Sequence, residues 1–302
     1  MDWLKDPLKV LEKFHPPPGT GTGRRKPMSF PGAYRVACGD REIPVAEDEA
    51  LLRWARANGF SPRQAQLRAL DEGVMPLRYL KNLWALSFEE QRKVCASSVL
   101  VCGCGGLGGG LAHLLARAGV GRLRLVDPDV FSPSNLNRQW LSTVEGLGEP
   151  KATEAARLLR SVNPLTETEP VGEKLEEGRL DDLLEGMDLV LDGLDNLEAR
   201  FVLARGAARA GLPFVHAAVA GWWGQIRTFL PGGPSGLESV YGRRRSRDSA
   251  EDASGALGPA VSAISSLQAL EAARILTGRP PAYAERLFYF DGETGAGEFL
   301  PS

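Results

Sequence analysis

Short apolar segments alternate with longer amphipathic segments between residues 98 and 219. The apolar segments predict strands at residues 98–102, 122–126, 166–171, 188–192 and 213–219. The segments between them predict helices at residues 107–118, 151–162, 180–185 and 196–210. Regular alternation of strand and helix is typical of a mostly parallel, doubly wound sheet.

The hydrophobic pattern changes after residue 219. It predicts a strand at residues 225–230, a long apolar helix at 259–276 and a hairpin that starts at Leu287. Ahead of the first strand, a capping box formed by Ser87 and Glu90 predicts a helix at residues 87–96. The predicted fold class is therefore α/β: a Rossmann-like doubly wound, mostly parallel sheet continued by antiparallel strands.

The first 75 residues predict a small helical N-terminal extension, followed by one α/β domain over residues 76–302. Residues 1–45 are rich in loop formers. Two short helices are predicted next, at residues 47–57 and from the Ser61 cap to Gly73. Two helices around a glycine turn suit either a DNA-binding unit or a packing unit, and the acidic residues among their arginines favour packing.

The charge balance narrows the function classes. The 302 residues include 36 Lys and Arg and 38 Asp and Glu, so the net charge is −2. This balance argues against bulk binding to nucleic acid or to a membrane surface. No apolar run is long enough to cross a bilayer and the polar start does not match a signal peptide, so we expect a cytoplasmic location.

A glycine-rich turn, Gly103-Cys-Gly105-Gly106-Leu-Gly, follows the first strand of the alternating region. Gly103 permits a tight turn, and Gly105 lets the backbone approach a phosphate. The following helix then offers unpaired amide groups to that phosphate. Asp127 follows the next strand, where a carboxylate can accept hydrogen bonds from ribose hydroxyls. These residues predict a nucleotide site without distinguishing among reactions.

Two cationic residues extend this site beyond what a dinucleotide requires. Arg138, in the segment Ser134-Asn135-Leu-Asn-Arg138-Gln139, can bind phosphate oxygens in a bidentate way and stabilise a departing pyrophosphate. Lys151 begins a helix, a position where acids are more usual, and it either binds phosphate or lies in solvent. The favoured ligand is therefore a nucleoside triphosphate.

An acidic segment, Asp192-Gly-Leu-Asp195-Asn196, follows the predicted strand at 188–192. Ligands of α/β proteins bind at the carboxyl ends of parallel strands. Mg²⁺ is often held by one or two carboxylates together with substrate phosphates, so Asp195 is a candidate magnesium ligand. The alternative is that Asp195 or Asn196 only caps the following helix. Both interpretations hold if Asn196 is the cap and Asp195 faces the site.

Together these motifs resemble those of the ThiF/MoeB/HesA adenylyltransferases, bacterial relatives of ubiquitin-activating enzymes. The resemblance runs from Arg78 to about residue 300 and includes Ser266-Leu-Gln-Ala-Leu-Glu271 in the long helix. It implies that Mg²⁺ and ATP are used to adenylate the C-terminal glycine of a ubiquitin-like sulfur-carrier protein that ends in Gly-Gly. The implied carrier is of the molybdopterin, tungstopterin or thiamin type. A separate sulfur donor and a homodimer are also implied.

The resemblance and the residue chemistry together assign site roles. Ten residues are expected to bind the nucleotide: Gly103, Gly105, Gly106, Asp127, Ser134, Asn135, Arg138, Lys151, Asp195 and Asn196. Catalytic roles are expected of Arg138, Lys151, Asp195 and Lys81, and Asp195 is the expected metal ligand.

The chain departs from the family pattern in several places. Lys81 stands where the family carries a second arginine, so the charge is kept but the bidentate fork is lost. The four cysteines contain no Cys-x-x-Cys pair and none follows Cys104, so we expect neither zinc nor a late catalytic cysteine. The arginine-rich segment at residues 242–247 either docks an acidic carrier or is a solvated loop.

Three other functions stay open from the sequence. The acyl substrate can be another carboxylate, on a peptide or on a modified tRNA. The chain can bind ATP without catalysis, as Lys81 and the missing cysteines suggest. It can also be an NAD(P) oxidoreductase, although Arg138, Lys151 and Asp195 argue against that class.

Overall fold

A computed structural model describes residues 30–233, 236–242 and 254–300. The described residues divide into two compact units, one up to Arg92 and one from Lys93 onwards. The loop prediction for residues 1–29 and the arginines of the 242–247 segment lie outside the described residues.

The described part of the first unit begins with a β-hairpin. Strands β1 (Tyr34–Cys38) and β2 (Arg41–Ala46) are antiparallel, and β2 also pairs in parallel with the short β3 (Met75–Pro76). The prediction of loops up to residue 45 is therefore wrong for these strands. Ile43 and Val45 do alternate towards the interior, but Pro44 between them is a residue that normally argues against a strand.

Two helices follow, α1 (Asp48–Asn58) and α2 (Pro62–Asp71). Gly59 ends α1 in the left-handed region, and Ser61 caps α2 in a capping box with Gln64. Two outward-facing arginines pair with acids one turn away: Arg53 with Glu49 inside α1, and Arg68 with Glu72, the residue that follows α2. This local neutralisation favours the packing interpretation of the helix pair over DNA binding.

The segment that begins the family resemblance packs inside this first unit. It forms the 3₁₀ helix Leu77–Asn82. Arg78 makes a bidentate ion pair with Asp48, and the buried Tyr79 donates its hydroxyl hydrogen to Gln66 Oε1 at 3.1 Å. The compact unit runs to Arg92, and the domain boundary expected after residue 75 stays a prediction.

An eight-stranded sheet organises the second unit. Five strands are mutually parallel: β4 (Ser98–Cys102), β5 (Arg122–Val126), β6 (Glu167–Val171), β7 (Leu189–Asp192) and β8 (Phe214–Ala220). Three antiparallel strands continue the sheet: β9 (Trp223–Phe229), β10 (Leu287–Asp291) and β11 (Ala296–Leu300). The order across the sheet is β11-β10-β9-β8-β7-β4-β5-β6.

Helices of the second unit cover both faces of this sheet. The helix α3 (Phe88–Ala96) comes first in the chain and contains the division between the units. The helices that follow it are α4 (Gly106–Ala118), α5 (Lys151–Val162), α6 (Leu180–Leu184), α7 (Leu197–Arg209), the single-turn α8 (Glu238–Tyr241) and α9 (Gly258–Thr277). Within the described ranges, none of the helices combines the length and the apolar content that a membrane span requires.

The two faces of the sheet bury separate apolar cores. Successive side chains of β8 point to opposite faces and so pack into different cores. Phe214 packs with residues of α6 and α7, including Phe201, whereas Ala217 and Val219 pack with Ile264 of α9. Helices α4, α5 and α9 share the second face. The result is the three-layer arrangement expected of a doubly wound sheet.

Two buried polar side chains on α9 form hydrogen bonds to residues of the strands. Gln268 Nε2 donates to the backbone carbonyls of Asp192 and Val215, at 2.9 and 3.0 Å. Glu271 Oε1 accepts the hydroxyl hydrogen of Thr228 at 2.6 Å, and its carboxylate also accepts two backbone amides ahead of β10. Both residues belong to the 266–271 motif, so part of that motif stabilises the fold.

Three glycines allow backbones to touch at the top of β4 and β7. A Cβ on Gly108 would lie 1.8 Å from the Gly103 carbonyl oxygen, and one on Gly103 would lie 2.3 Å from the Gly193 carbonyl oxygen. Gly103 also adopts a φ of +89°, which favours glycine. Only residues without side chains can occupy these three positions unless the loops move apart.

Gly108→Ala is expected to lower the free energy of unfolding by at least about 2 kcal/mol. Helix propensity alone would give the opposite sign, since alanine is the better helix former by about 1 kcal/mol. Urea denaturation measures the change. Gly172→Ala is the matched control, because its Cβ would meet no neighbour within 4 Å. Unchanged stability in Gly108→Ala would contradict the close contact.

Candidate active site

A cleft of about 890 Å³ opens at the carboxyl ends of β4 and β7. The chain order reverses there, since β5 and β6 lie on one side of β4 while β7 and β8 lie on the other. Doubly wound sheets bind ligands at such a switch point, where the loops that leave adjacent strands diverge. The turn before α4 and the loop before α7 line this cleft.

The N-terminal end of α4 faces the cleft through Gly105, Gly106 and Leu107. The first amide groups of a helix have no partner inside the helix, and the helix dipole adds positive charge there. A Cβ on Gly105 would meet only the Gln139 side chain within 4 Å, at 3.5 Å. The protein thus leaves open space beside Gly105, which lets a phosphate approach the backbone.

Asp127 lines the cleft just after β5 and is 5% exposed. Its Oδ2 accepts the amide hydrogen of Cys104 at 2.6 Å, and its Oδ1 accepts that of Asp129 at 2.9 Å. Burial raises the pKa of this carboxyl, and the two amides oppose the rise. Each carboxylate oxygen can accept a second hydrogen bond, so the group remains able to bind hydroxyls of a ligand.

The two predicted cations, Arg138 and Lys151, also line the cleft. The ammonium of Lys151 lies 3.2 Å from Asp129 Oδ2. Arg138 Nη1 donates to the carbonyl of Ser134 at 3.0 Å and to Asn137 Oδ1 at 3.1 Å. Both side chains are held before any ligand arrives, and such preorganised charges stabilise an incoming polyphosphate with little rearrangement.

Asp195 and Asn196 line the cleft from the loop before α7. Asn196 Oδ1 accepts the amide hydrogen of Ala199 at 2.9 Å and caps α7, as predicted. Asn196 Nδ2 donates to Asp195 Oδ1 at 3.2 Å. Among the described residues, no three His, Cys, Asp or Glu side chains converge as a metal site. The donor set therefore fits Mg²⁺ only if phosphates supply further ligands, which is how Mg²⁺ commonly binds.

Ser134 and Asn135 are not among the residues that line the cleft. The exposed Ser134 lies with its Oγ 3.0 Å from that of Ser132, and the buried Asn135 accepts the amide hydrogen of Ser132 at 2.9 Å. These contacts close the turn that precedes Arg138. Lys81 is exposed at the end of its 3₁₀ helix in the first unit. Nucleotide contacts of these three residues stay predictions.

Several further polar residues line the cleft without having been assigned a role from the sequence, among them Gln139, Lys174 and Arg200. Gln139 is 7% exposed, and its Oε1 has no hydrogen-bond partner in the part of the chain that is described. Arg200 lies one helical turn after Asn196, a spacing that would have placed it near the cap. Lys174 comes from the loop after β6, and no sequence motif marks it.

Comparison with known proteins agrees with the family resemblance that the sequence motifs indicate. A family model described as the ThiF family matches residues 79–301. The chain is 37% identical over 269 residues to the adenylyltransferase and sulfurtransferase MOCS3 of Bos taurus, which covers 84% of this chain and 59% of that protein. It is 38% identical over 141 residues to a sulfur carrier protein adenylyltransferase of Thermus thermophilus, which covers 47% of this chain and 52% of that protein. The matches thus span between half and three fifths of each relative.

The fold is also that of a solved structure, E. coli MccB with ATP, at a TM-score of 0.65 and 17% identity. The match covers 83% of this chain and 76% of MccB. At this identity the likeness speaks for the fold alone, and it confirms the predicted α/β, Rossmann-like class.

Gly105→Ala is expected to weaken the binding of Mg-ATP by at least about tenfold, or about 1.4 kcal/mol. The added methyl group would occupy the open space beside the α4 amides, whereas protein stability should change far less than in Gly108→Ala. Isothermal titration calorimetry measures the affinity, with Gly172→Ala as the control. Equal affinity of Gly105→Ala and the unaltered protein would rule out a phosphate at this position.

Proposed function

Because the chain belongs to the ThiF family, we propose that it is an ATP-dependent adenylyltransferase. Its acyl substrate is the C-terminal glycine carboxylate of a small ubiquitin-like sulfur-carrier protein. A carboxylate oxygen attacks the α-phosphorus of ATP, and the bond from that phosphorus to the bridging oxygen of the β-phosphate breaks. The bridging oxygen keeps the electron pair and leaves with pyrophosphate. The product is an acyl-adenylate.

One observation carries this proposal: a helix N-terminus, two restrained cations and a carboxylate line a single cleft. A pyrophosphate leaving group gains negative charge as its bond to the α-phosphorus breaks, and fixed cations stabilise that charge. An oxidoreductase that transfers hydride has no leaving group of this kind, so Arg138 and Lys151 would have no comparable task in it.

The groups that line the cleft have distinct tasks in the proposed reaction. The unpaired amides at Gly105 and Gly106 bind phosphate oxygens. Arg138 and Lys151 bind the phosphates that leave, Arg138 in a bidentate way and Lys151 as a point charge. Asp127 accepts hydrogen bonds from the ribose hydroxyls while it holds the glycine-rich turn through the Cys104 amide.

Asp195 is the proposed ligand of Mg²⁺. The bound ion supplies positive charge that orients the triphosphate and offsets its charge during the reaction. The chain prepares the ligand, because Asn196 both donates to the Asp195 carboxylate and caps α7. Asp195 is therefore tethered to the start of a helix.

The proposed carrier ends in Gly-Gly and is of the molybdopterin, tungstopterin or thiamin type. The name of the T. thermophilus relative, which specifies a sulfur carrier protein, supports this substrate class. A separate donor then supplies sulfur to the acyl-adenylate. We further propose a homodimer in the cytoplasm, with Lys81 as an additional catalytic cation.

ATP–pyrophosphate exchange tests the proposed reaction. With Mg²⁺ and a panel of Gly-Gly-terminated sulfur carriers, exchange is expected with one carrier and absent without any. Asp195→Ala should lower the exchange rate by at least about 100-fold, because it removes the proposed protein ligand of the metal. Asp182→Ala, which removes an exposed carboxylate on α6, is the control and should exchange normally.

Two results would overturn this proposal. ATP binding without exchange for any carrier would indicate a non-catalytic scaffold or another acyl substrate, such as a peptide or a modified tRNA. Preference for a nicotinamide dinucleotide over ATP would instead indicate an oxidoreductase.

Binding of the metal is expected to depend on nucleotide, because Asp195 alone offers too few ligands. Electron paramagnetic resonance can count free Mn²⁺, which substitutes for Mg²⁺. Protein alone should leave Mn²⁺ free, whereas protein plus a non-hydrolysable ATP analogue should retain more Mn²⁺ than the analogue alone. Asp195→Asn should remove that gain. Tight Mn²⁺ binding without nucleotide would contradict the single-carboxylate site.

A further inference from the structure

A buried polar network adjoins the loop that carries Asp195. It consists of five side chains from five elements: Asp192 of β7, Arg200 of α7, His216 of β8, Gln225 of β9 and Tyr241 of α8. Asp192 and His216 are fully buried, and Arg200 is 8% exposed. Of the five, only Arg200 lines the cleft.

A path of hydrogen bonds in this network leads from Gln225 through Tyr241 and His216 to Asp192. His216 Nδ1 lies 2.6 Å from Asp192 Oδ2, and since a carboxylate only accepts, the histidine donates there. Burial lowers the pKa of His216, so its Nε2 is an acceptor and takes the hydroxyl hydrogen of Tyr241 at 3.0 Å. The Tyr241 oxygen in turn accepts from Gln225 Nε2 at 2.9 Å. The tautomer of His216 is thereby determined by its partners.

The far end of the network holds the backbone of Leu194, the residue before Asp195. Asp192 Oδ1 accepts the amide hydrogen of Leu194 at 2.9 Å. Arg200 Nη2 donates to the Leu194 carbonyl, while Arg200 Nε lies 3.3 Å from Asp192 Oδ2. Both polar backbone groups of Leu194 are therefore bound by side chains that the network orients.

We propose that His216 and Tyr241 are positioning residues that fix the Leu194 backbone and thereby place the Asp195 carboxylate for the metal. This inference rests on the proposed metal role of Asp195. Neither His216 nor Tyr241 lines the cleft. His216 acts through Asp192, and Tyr241 acts through His216 and through Arg200, with which its hydroxyl also forms a hydrogen bond. Partners that orient metal ligands from outside commonly change metal affinity by about 10- to 100-fold when they are removed.

The purely structural alternative is that these side chains only satisfy one another inside the sheet. Buried polar networks add little stability over well-packed apolar side chains, but a partly satisfied network is costly. A general loss of stability is thus expected from many substitutions here. The test therefore needs a readout of Asp195 placement in addition to folding.

Mn²⁺ affinity of the complex with a non-hydrolysable ATP analogue supplies that readout, measured by electron paramagnetic resonance on the full chain. His216→Leu is expected to weaken Mn²⁺ binding by about tenfold, while affinity for the analogue without metal changes less than about twofold. His216→Asn keeps a donor near the Nδ1 position and should restore most of the Mn²⁺ affinity. Phe214→Leu, two residues away on β8 and equally buried, is the control for lost stability.

Tyr241→Phe keeps the ring and removes only the hydroxyl, so it tests the network if His216→Leu does not fold. It should shift Mn²⁺ affinity in the same direction as His216→Leu, by a smaller factor. Unchanged Mn²⁺ affinity in both variants, or an equal loss in Phe214→Leu, would overturn the positioning role.

Exchange measurements on the same variants separate the two proposals. Loss of exchange in His216→Leu with recovery in His216→Asn supports positioning. If the unaltered protein shows no exchange with any carrier yet Mn²⁺ affinity follows the expected order, adenylation fails while the positioning role stands. If the unaltered protein binds no Mn²⁺ with the analogue, the metal role of Asp195 and this inference both fail.

Discussion

Contact between the backbones of two loops is the constraint on which the cleft depends. Gly103, Gly108 and Gly193 let the turn after β4, the start of α4 and the loop after β7 meet without side chains between them. The strands could pair without this contact, but the α4 amides and the Asp195 carboxylate would then stand farther apart. The switch point of the sheet becomes a single polar cleft because these loops touch.

Two aspartates stabilise the loops at this cleft through the same type of hydrogen bond to the backbone. Asp127 accepts the amide of Asp129 and Asp192 accepts that of Leu194, each two residues further along the chain. Such bonds shape a turn locally. Each aspartate also accepts a distant donor, a backbone amide in one case and a buried histidine in the other. The turns are therefore tied to neighbouring elements, and each presents an acidic residue: Asp129 to Lys151, and Asp195 to the cleft.

Local signals predicted most of the fold, and distant contacts explain what they missed. Periodicity, caps such as Ser61 and the glycine stops placed the elements of the α/β sheet within two residues. The hairpin at residues 34–46 was not predicted because Pro44 interrupts the alternation of apolar and polar residues in β2. Motifs likewise predicted the cleft positions of Gly105, Arg138, Lys151 and Asp195. The partners of Gly193 and His216 lie on other elements, and no local pattern states which strand ends will meet.

Lys151 and Arg200 both line the cleft, but the carboxylates with which they pair differ in their exposure to water. Lys151 pairs with Asp129, whose side chain is 63% exposed, so water reaches the carboxylate of this pair and screens it. A triphosphate can compete for that ammonium. Arg200 pairs with the fully buried Asp192, and withdrawing it would leave an uncompensated charge inside the protein. Lys151 is therefore available to a ligand, whereas Arg200 stays engaged with the fold and holds the loop from which Asp195 projects.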